Sequence, residues 1–125
     1  MLDHLSLGVR DIDAARRFYD ALFAPLGGAV SKVAPGELAY GPGGEGSVFF
    51  LYAVSGPQVH GLSAHVAFTA SSRVAVDAAY AAAMAQGAET VRAAGLHPDI
   101  SADYYGAVVL DPDGNKLEIV ADTMH

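Results

Sequence analysis

Residues 104–121 decide the fold of this protein: they read YYGAVVL, then DPDG, then NKLEIVA. Two runs rich in β-branched and aromatic residues flank DPDG (111–114), which suits a type I turn with proline at its second position and glycine at its fourth. The segment therefore predicts a β-hairpin. In its second strand Leu117 and Ile119 lie on one face, and Glu118 lies on the other.

Two other segments show the same alternation, LDHLSLGV from residue 2 and SAHVAFTA from residue 63. A helical pattern follows each of them: Asp11 caps the first helix, and Ser71 or Ser72 caps the second. His65 follows His4 by 61 residues, and Tyr80 of the second helix follows Tyr19 of the first by the same 61. The chain is therefore predicted to be an internal repeat.

The repeat predicts the architecture. Three short strands near 29–33, 37–41 and 47–54 follow the first helix, and 55–62 is expected to be a linker. We predict one α+β domain over residues 1–125, made of two βαβββ modules at about 2–54 and 63–121. Its eight strands are expected to form a mixed sheet shaped as a cup, with both helices outside.

Composition excludes several classes of function. The net charge is −7 and the seven Lys and Arg residues form no basic stripe, which argues against nucleic acid and anionic membranes as partners. There are no cysteines, so a metal site would have to use imidazole and carboxylate. Residues 46–72 carry no formal charge, but Gly56, Pro57 and Gly61 interrupt them, so no membrane span is predicted.

The remaining features concern location and assembly. The first residues lack the basic and apolar regions of a signal peptide, so we expect a cytoplasmic protein. Apolar residues make up 52% of the chain, and its mean hydropathy is +0.28, which is high for a small monomer. A subunit interface would hide part of this surface, so we expect a homodimer.

His4, His65 and Glu118 form the candidate metal site. Each lies in a predicted strand, in the phase opposite to the large aliphatic residues. If the halves pair about a pseudo-twofold axis, two imidazoles and one carboxylate converge as a 2-His-1-carboxylate set, which leaves coordination positions open for a ligand. The alternative is structural: hydrogen-bonded histidines and a solvated glutamate.

Other candidates would line the cup. Tyr104 and Tyr105 begin the strand that pairs with the Glu118 strand, and one of them is expected to point its hydroxyl into the cup; ordinary aromatic packing is the alternative. We predict Tyr105 and the loop residue His97 as catalytic, although a histidine in a surface loop is the better explanation of His97. Tyr104 is predicted to bind substrate, together with an apolar wall of Tyr40, Phe50 and Tyr52.

These segments resemble the vicinal oxygen chelate superfamily, which includes glyoxalase I, bleomycin resistance proteins and type I extradiol dioxygenases. HLSLGVRDIDAARRFYDALFAPLG resembles the first strand and helix of that group, SAHVAF the strand that opens the second half, and YYGAVVLDPDGNKLEIV the closing hairpin. The resemblance implies metal ligands at His4, His65 and Glu118. The metal could be Fe, Mn, Ni or Zn.

The chain departs from glyoxalase I at one position. Those enzymes use a fourth ligand, usually glutamate, on the last strand of the first half. Aligning SVFFLYAV with NKLEIVAD places Phe50 opposite Glu118, and no carboxylate occurs between Glu45 and Asp77. The resemblance therefore favours three-ligand chemistry, as in the extradiol dioxygenases, over the four-ligand chemistry of glyoxalase I.

The resemblance implies two candidate functions, and a third is the alternative to both. The first is a metal-dependent lyase, isomerase or dioxygenase that acts on a small molecule with two neighbouring oxygens. The second is a non-catalytic protein that sequesters a drug or metabolite, as bleomycin resistance proteins do. The third is a plain scaffold, which we rank last because an inward Glu118 without a partner would be costly to bury.

Overall fold

A computed structural model describes residues 2–57, 61 and 64–121 of the chain. Its order is β1 (Leu5–Val9), α1 (Ile12–Phe23), a 3-10 turn (Ala24–Leu26), β2 (Gly28–Ala34), β3 (Glu37–Pro42), β4 (Phe49–Ala53), β5 (His65–Thr69), α2 (Arg73–Ala85), β6 (Glu89–Leu96), β7 (Tyr105–Leu110) and β8 (Lys116–Ala121). This confirms the α+β class and the two βαβββ halves. The predicted linker at 55–62 lies partly outside the described residues.

The eight strands divide into two sheets rather than one hydrogen-bonded sheet. Their orders are β1-β4-β3-β2 and β5-β8-β7-β6, so each half keeps its own four strands. In both sheets the first strand runs parallel to the last and the other pairs are antiparallel. Consequently β1 and β5 are edge strands, and they line a common groove of about 320 Å³.

The helices begin where the sequence predicts. The Asp11 carboxylate accepts hydrogen bonds from the backbone N–H groups of Asp13 and Ala14, and the Ser72 hydroxyl oxygen accepts one from Ala75. After α1 the chain makes the 3-10 turn and ends it at Gly27, whose φ of 79° lies in the left-handed region that favours glycine. No helix of the described residues is long and apolar enough to cross a membrane.

One hydrophobic core serves both halves. α1 contributes Phe18, Tyr19 and Leu22 to it, and the sheets contribute alternate residues such as Leu51 and Leu117. Because alternate strand residues point to opposite faces, the remaining residues of each strand lie on a face that points away from this core. We call these surfaces the first open face, on the sheet of β1–β4, and the second open face, on the sheet of β5–β8.

The turn between β7 and β8 joins the two halves. The buried Asp111 carboxylate accepts hydrogen bonds from the Tyr19 hydroxyl of α1 at 2.7 Å and from the Asn115 amide nitrogen Nδ2 at 2.9 Å. The same Nδ2 donates to the carbonyl of Gly8 in β1 at 2.9 Å, and the Arg10 N–H donates to the Asp113 carboxylate. The DPDGN sequence is thus both a hairpin turn and a connection to the first half.

Candidate functional site

Glu118 lies at the centre of the second open face. In β8 its neighbours Leu117 and Ile119 are fully buried in the core, so the phase predicted from sequence is confirmed. Glu118 is paired with Ala67 of β5 on one side and Val108 of β7 on the other. Its side chain is 18% exposed, which leaves it open to a ligand while its neighbours hold it in place.

A tyrosine holds this carboxylate. The Tyr104 hydroxyl donates a 2.6 Å hydrogen bond to Glu118 Oε1. Burial raises the pKa of Tyr104 above its ordinary value of 10, and the hydrogen bond to Glu118 and its charge act in the same direction. Tyr104 therefore stays protonated at neutral pH and remains a donor. Charge-assisted bonds of this kind are short and strong.

A glycine makes the contact possible. Gly106 is two residues after Tyr104 and lies on the same face of β7. A Cβ atom at Gly106 would lie 2.6 Å from the Tyr104 hydroxyl oxygen and 2.7 Å from the carbonyl oxygen of Ile119. Any larger residue would displace the tyrosine ring from the strand surface.

His65 is the second candidate ligand on this face. Its Nε2 lies 3.7 Å from Glu118 Oε2, and its side chain is 51% exposed. Since Tyr104 occupies Oε1, the Oε2 atom is the one that faces the imidazole. The structure therefore brings two of the three predicted metal ligands together.

His4 does not join them. Its Nδ1 lies 2.7 Å from the carboxylate of Asp3, and its ring makes an edge contact with Phe50, with the centroids 5.4 Å apart. Within the described part of the chain, no three His, Cys, Asp or Glu residues are grouped closely enough to hold a metal ion. The described residues of one chain therefore do not assemble the three-ligand site.

His97 lies beside Tyr104, with the two ring centroids 5.8 Å apart. Its Nε2 is 2.8 Å from the carbonyl oxygen of Ala93. A carbonyl only accepts, so Nε2 carries the proton, and Nδ1 of the neutral ring is the nitrogen left to accept one. This tautomer gives His97 an acceptor atom near the site.

The first open face carries aromatic rings in place of these polar groups. Phe50 of β4 is paired with Ser6 of β1, as Glu118 of β8 is paired with Ala67 of β5. Ala67 follows Ser6 by the 61 residues of the repeat, so Phe50 occupies the position equivalent to Glu118. The rings of Phe50 and Tyr52 stack nearly parallel, at 7° and 6.1 Å between centroids.

Two tyrosines point away from the open faces, and their predicted positions are corrected here. Tyr40 is 2% exposed, and its hydroxyl donates to Asp20 on α1, so it belongs to the core and not to the wall that holds Phe50 and Tyr52. The Tyr105 hydroxyl donates to Asp77 on α2, which places it on the helix side of β7. Each tyrosine therefore points toward the helices, on the opposite side of its strand from the predicted open face.

Sequence reasoning missed Arg92, which lies on the second open face. Its guanidinium forms two hydrogen bonds with the Asp99 carboxylate, at 2.8 and 3.1 Å. A shift of register between Thr90 and Arg92 interrupts the simple alternation of β6, so the sequence pattern could not place Arg92 on this face.

Comparison with known protein families identifies the family of this chain. A family model described as "Glyoxalase/Bleomycin resistance protein/Dioxygenase superfamily" matches residues 1–119, which include all three predicted metal ligands. The chain belongs to this superfamily. A glyoxalase/bleomycin resistance protein from Albidiferax ferrireducens T118 matches over 98% of this chain and 99% of its own, with 29% identity and a TM-score of 0.86.

Two solved structures show the same superfamily fold at lower identity. A glyoxalase-related enzyme from Fulvimarina pelagi is 24% identical, with a TM-score of 0.76 over 98% of this chain and 88% of its own. A glyoxalase/bleomycin resistance protein/dioxygenase family enzyme from Burkholderia phytofirmans PsJN is also 24% identical, with a TM-score of 0.72 over 94% and 95%. A comparison with curated proteins gave no match.

Proposed function

We propose that this protein is an enzyme of the glyoxalase/dioxygenase type that acts on a small molecule with two neighbouring oxygens, bound on the second open face. The observation that carries the proposal is the Tyr104–Glu118–His65 cluster, a carboxylate fixed by a tyrosine and adjacent to an imidazole. An oriented carboxylate, an imidazole and a nearby acceptor are what proton transfer requires.

Glu118 and His65 are the proposed core of a metal site. Glu118 Oε2 and His65 Nε2 lie 3.7 Å apart and are not blocked by the Tyr104 bond to Oε1. Imidazole with carboxylate suits Fe(II), Mn(II), Ni(II) and Zn(II) alike. When bound, the metal would act as a Lewis acid toward both oxygens of the ligand. Two donors within one chain do not complete such a site, so we propose His4 of the partner subunit as the third.

The neighbouring side chains have separate proposed roles. Tyr104 keeps Glu118 in one rotamer and remains a hydrogen-bond donor at neutral pH. His97, with Nε2 held by Ala93, presents Nδ1 as the atom that accepts a proton from the ligand. Phe50 and Tyr52 form the apolar wall that excludes water and favours a planar or apolar ligand.

A homodimer is proposed because each chain leaves matching surfaces uncovered. β1 and β5 are edge strands, and the edge of a sheet is a template for pairing with another chain. Near them Val48, Tyr52 and Val54 are 48%, 42% and 38% exposed. Pairing the aromatic first open face of one copy with the polar second open face of another would form two equivalent cups.

The test is metal binding by purified protein, measured by calorimetric titration with Mn(II) and Zn(II). We expect one ion per chain in the parent and at least ~10-fold weaker binding in His65→Ala and in Glu118→Gln, since loss of a supporting group costs 10–100-fold and loss of a ligand costs more. His97→Ala is the matched control and should retain metal. Equal metal binding in the parent and both ligand variants would show that these residues are structural.

Sequestration of a ligand without chemistry is the second candidate function. The stacked Phe50 and Tyr52 rings favour it, because they form a flat aromatic surface that can bind a ligand without a metal. The two functions differ in what is recovered after incubation with a substrate candidate: an enzyme converts it, whereas a sequestering protein returns it unchanged.

A further inference from the structure

Arg92 is a cation on the second open face that the proposed function leaves unused. In the register of the sheet Arg92 of β6 is paired with Val108 of β7, and Val108 is paired with Glu118 of β8. Neighbouring strands are about 4.8 Å apart, so the Arg92 and Glu118 backbones are separated by roughly 10 Å. Ligands of ordinary metabolite size span that distance.

The guanidinium of Arg92 already forms an ion pair with a carboxylate of the same chain, that of Asp99. Arg92 Nη1 and Nη2 donate to the two oxygens of Asp99 at 3.1 and 2.8 Å, a fork that matches carboxylate geometry. Asp99 follows β6 in an exposed loop, and the side chains of Arg92 and Asp99 are 37% and 61% exposed. Exposed ion pairs of this kind contribute little to stability, so another carboxylate can replace Asp99 at small cost.

Arg92 also shares an electrostatic environment with the candidate site. The hydrogen bonds that Arg92 donates to Asp99 raise the pKa of Arg92 most, and the charges of Asp99 and Glu118 act in the same direction. In turn Arg92 lowers the pKa of Asp99, so the loop carboxylate is charged at neutral pH. In a chain of net charge −7, a local cation is what allows an anionic ligand to approach Glu118.

We propose that Arg92 binds a carboxylate group of the ligand and that Asp99 occupies this position in the free protein. The ligand class is then a small acid whose two neighbouring oxygens reach Glu118 and His65 while its carboxylate reaches Arg92. This inference rests on the proposed function, because it adds a third contact to the same site.

The experiment compares two aromatic probes of the same size and shape, one anionic and one neutral: 3,4-dihydroxybenzoate and its amide, 3,4-dihydroxybenzamide. Calorimetric titration of the Mn(II)-loaded protein should give about 10-fold tighter binding of the acid, the usual range for a charge-assisted contact in a half-exposed site. Arg92→Gln should remove this preference. Asp99→Asn, which removes the competing charge, should strengthen binding of the acid and leave binding of the amide unchanged.

Arg16→Gln is the matched control, since Arg16 is a half-exposed arginine paired with Asp20 on α1, away from the site. It should keep the preference for the acid. Equal affinity of the parent for acid and amide, or a preference that survives in Arg92→Gln, would overturn the role of Arg92 while leaving the proposed function intact. Failure of the parent to bind either probe would overturn both.

Discussion

Glu118 shows how a single residue becomes a candidate for chemistry. Its position in β8 fixes which face it occupies, but three neighbours decide what it can do. Tyr104 binds one carboxylate oxygen, Gly106 provides the space for the Tyr104 ring, and His65 lies near the other oxygen. A carboxylate prepared in this way is oriented before any ligand arrives, which is what a functional site requires.

Replacement of Tyr104 by phenylalanine tests this orientation. Because a hydrogen bond to a charged group is lost, we expect the free energy of unfolding to fall by about 1.5 kcal/mol and binding of metal at Glu118 to weaken. Urea unfolding and metal titration measure the two effects. Tyr105→Phe is the matched control: its hydroxyl bonds exposed Asp77, so a loss within about 0.5 kcal/mol and unchanged metal binding are expected. If the two variants behaved alike, the orienting role of Tyr104 would be wrong.

Phe50 leads to a prediction about substrate. Phe50 occupies the position in the first half that is equivalent to Glu118 in the second half. A phenyl ring cannot accept a proton. We therefore expect little or no isomerisation of the methylglyoxal–glutathione hemithioacetal, since a general base typically contributes ~10²–10⁴ in rate. An absorbance assay measures the reaction. Phe50→Glu should increase metal affinity by adding a carboxylate, and robust activity of the parent would show that a base elsewhere, such as His97, replaces the missing carboxylate in this isomerisation.

At the scale of elements, the β7–β8 turn is more than a connection between two strands. Asp111 accepts bonds from its own turn and from the Tyr19 hydroxyl of α1, and Asn115 reaches the backbone of β1. Burial raises the pKa of Asp111, and the bonds from Asn115 and Tyr19 limit the rise. The turn thus links the halves through a carboxylate that its donors keep in place.

This network predicts a pH-dependent effect of Tyr19→Phe. A raised pKa means that the folded state binds the Asp111 proton more tightly than the unfolded state, so its contribution to stability is greatest below pH 3.8 and falls as pH rises through the folded pKa. Removing the Tyr19 bond raises that pKa further. We expect a loss of about 2 kcal/mol at pH 7 and a smaller loss at pH 4, measured by urea unfolding.

Tyr80→Phe provides the control for this measurement. Tyr80 is the equivalent tyrosine of α2, and its hydroxyl is 2.8 Å from the neutral Thr90 hydroxyl. Its loss should therefore cost the same at both pH values. A pH-independent effect of Tyr19→Phe would show that its bond to Asp111 does not depend on the carboxylate charge.

At the scale of the whole molecule, the chain carries two unlike open faces on two separate sheets. One presents Phe50 and Tyr52, and the other presents Glu118, His65 and Arg92. A cup built from both faces would combine a binding wall with acid–base groups. This complementarity is the basis for the proposed homodimer.

Mixing two variants that cannot bind metal tests whether each metal site contains residues of both subunits. His4→Ala and Glu118→Ala should each fail to bind metal, but a refolded equal mixture should recover about a quarter of the sites, because half of the dimers are mixed and each holds one intact site. The parent should elute at twice 12.8 kDa in size exclusion with light scattering. No recovery would place the ligands within one chain, and a species of only 12.8 kDa would contradict the dimer.

The sequence by itself determined the order of the elements and the phase of the strands that carry His65 and Glu118. The alternation around His65 and Glu118 requires one buried and one open face, because side chains on a strand point to opposite sides. The caps at Asp11 and Ser72 and the DPDG turn are local, since each is satisfied by residues within a few positions. The alignment of SVFFLYAV with NKLEIVAD likewise placed Phe50 where the second half has its glutamate.

Only the tertiary structure decided which of these residues meet. Tyr104 and Tyr105 are adjacent in sequence, yet one reaches Glu118 and the other Asp77, and that choice depends on the strand's phase and on the space above Gly106. The register shift in β6 likewise depends on the tertiary structure, and for this reason the sequence pattern did not place Arg92 on the second open face. Whether His4 lies near His65 depends on the relative position of the two sheets. That position is set by packing between segments that are distant in sequence, so a local sequence pattern does not predict it.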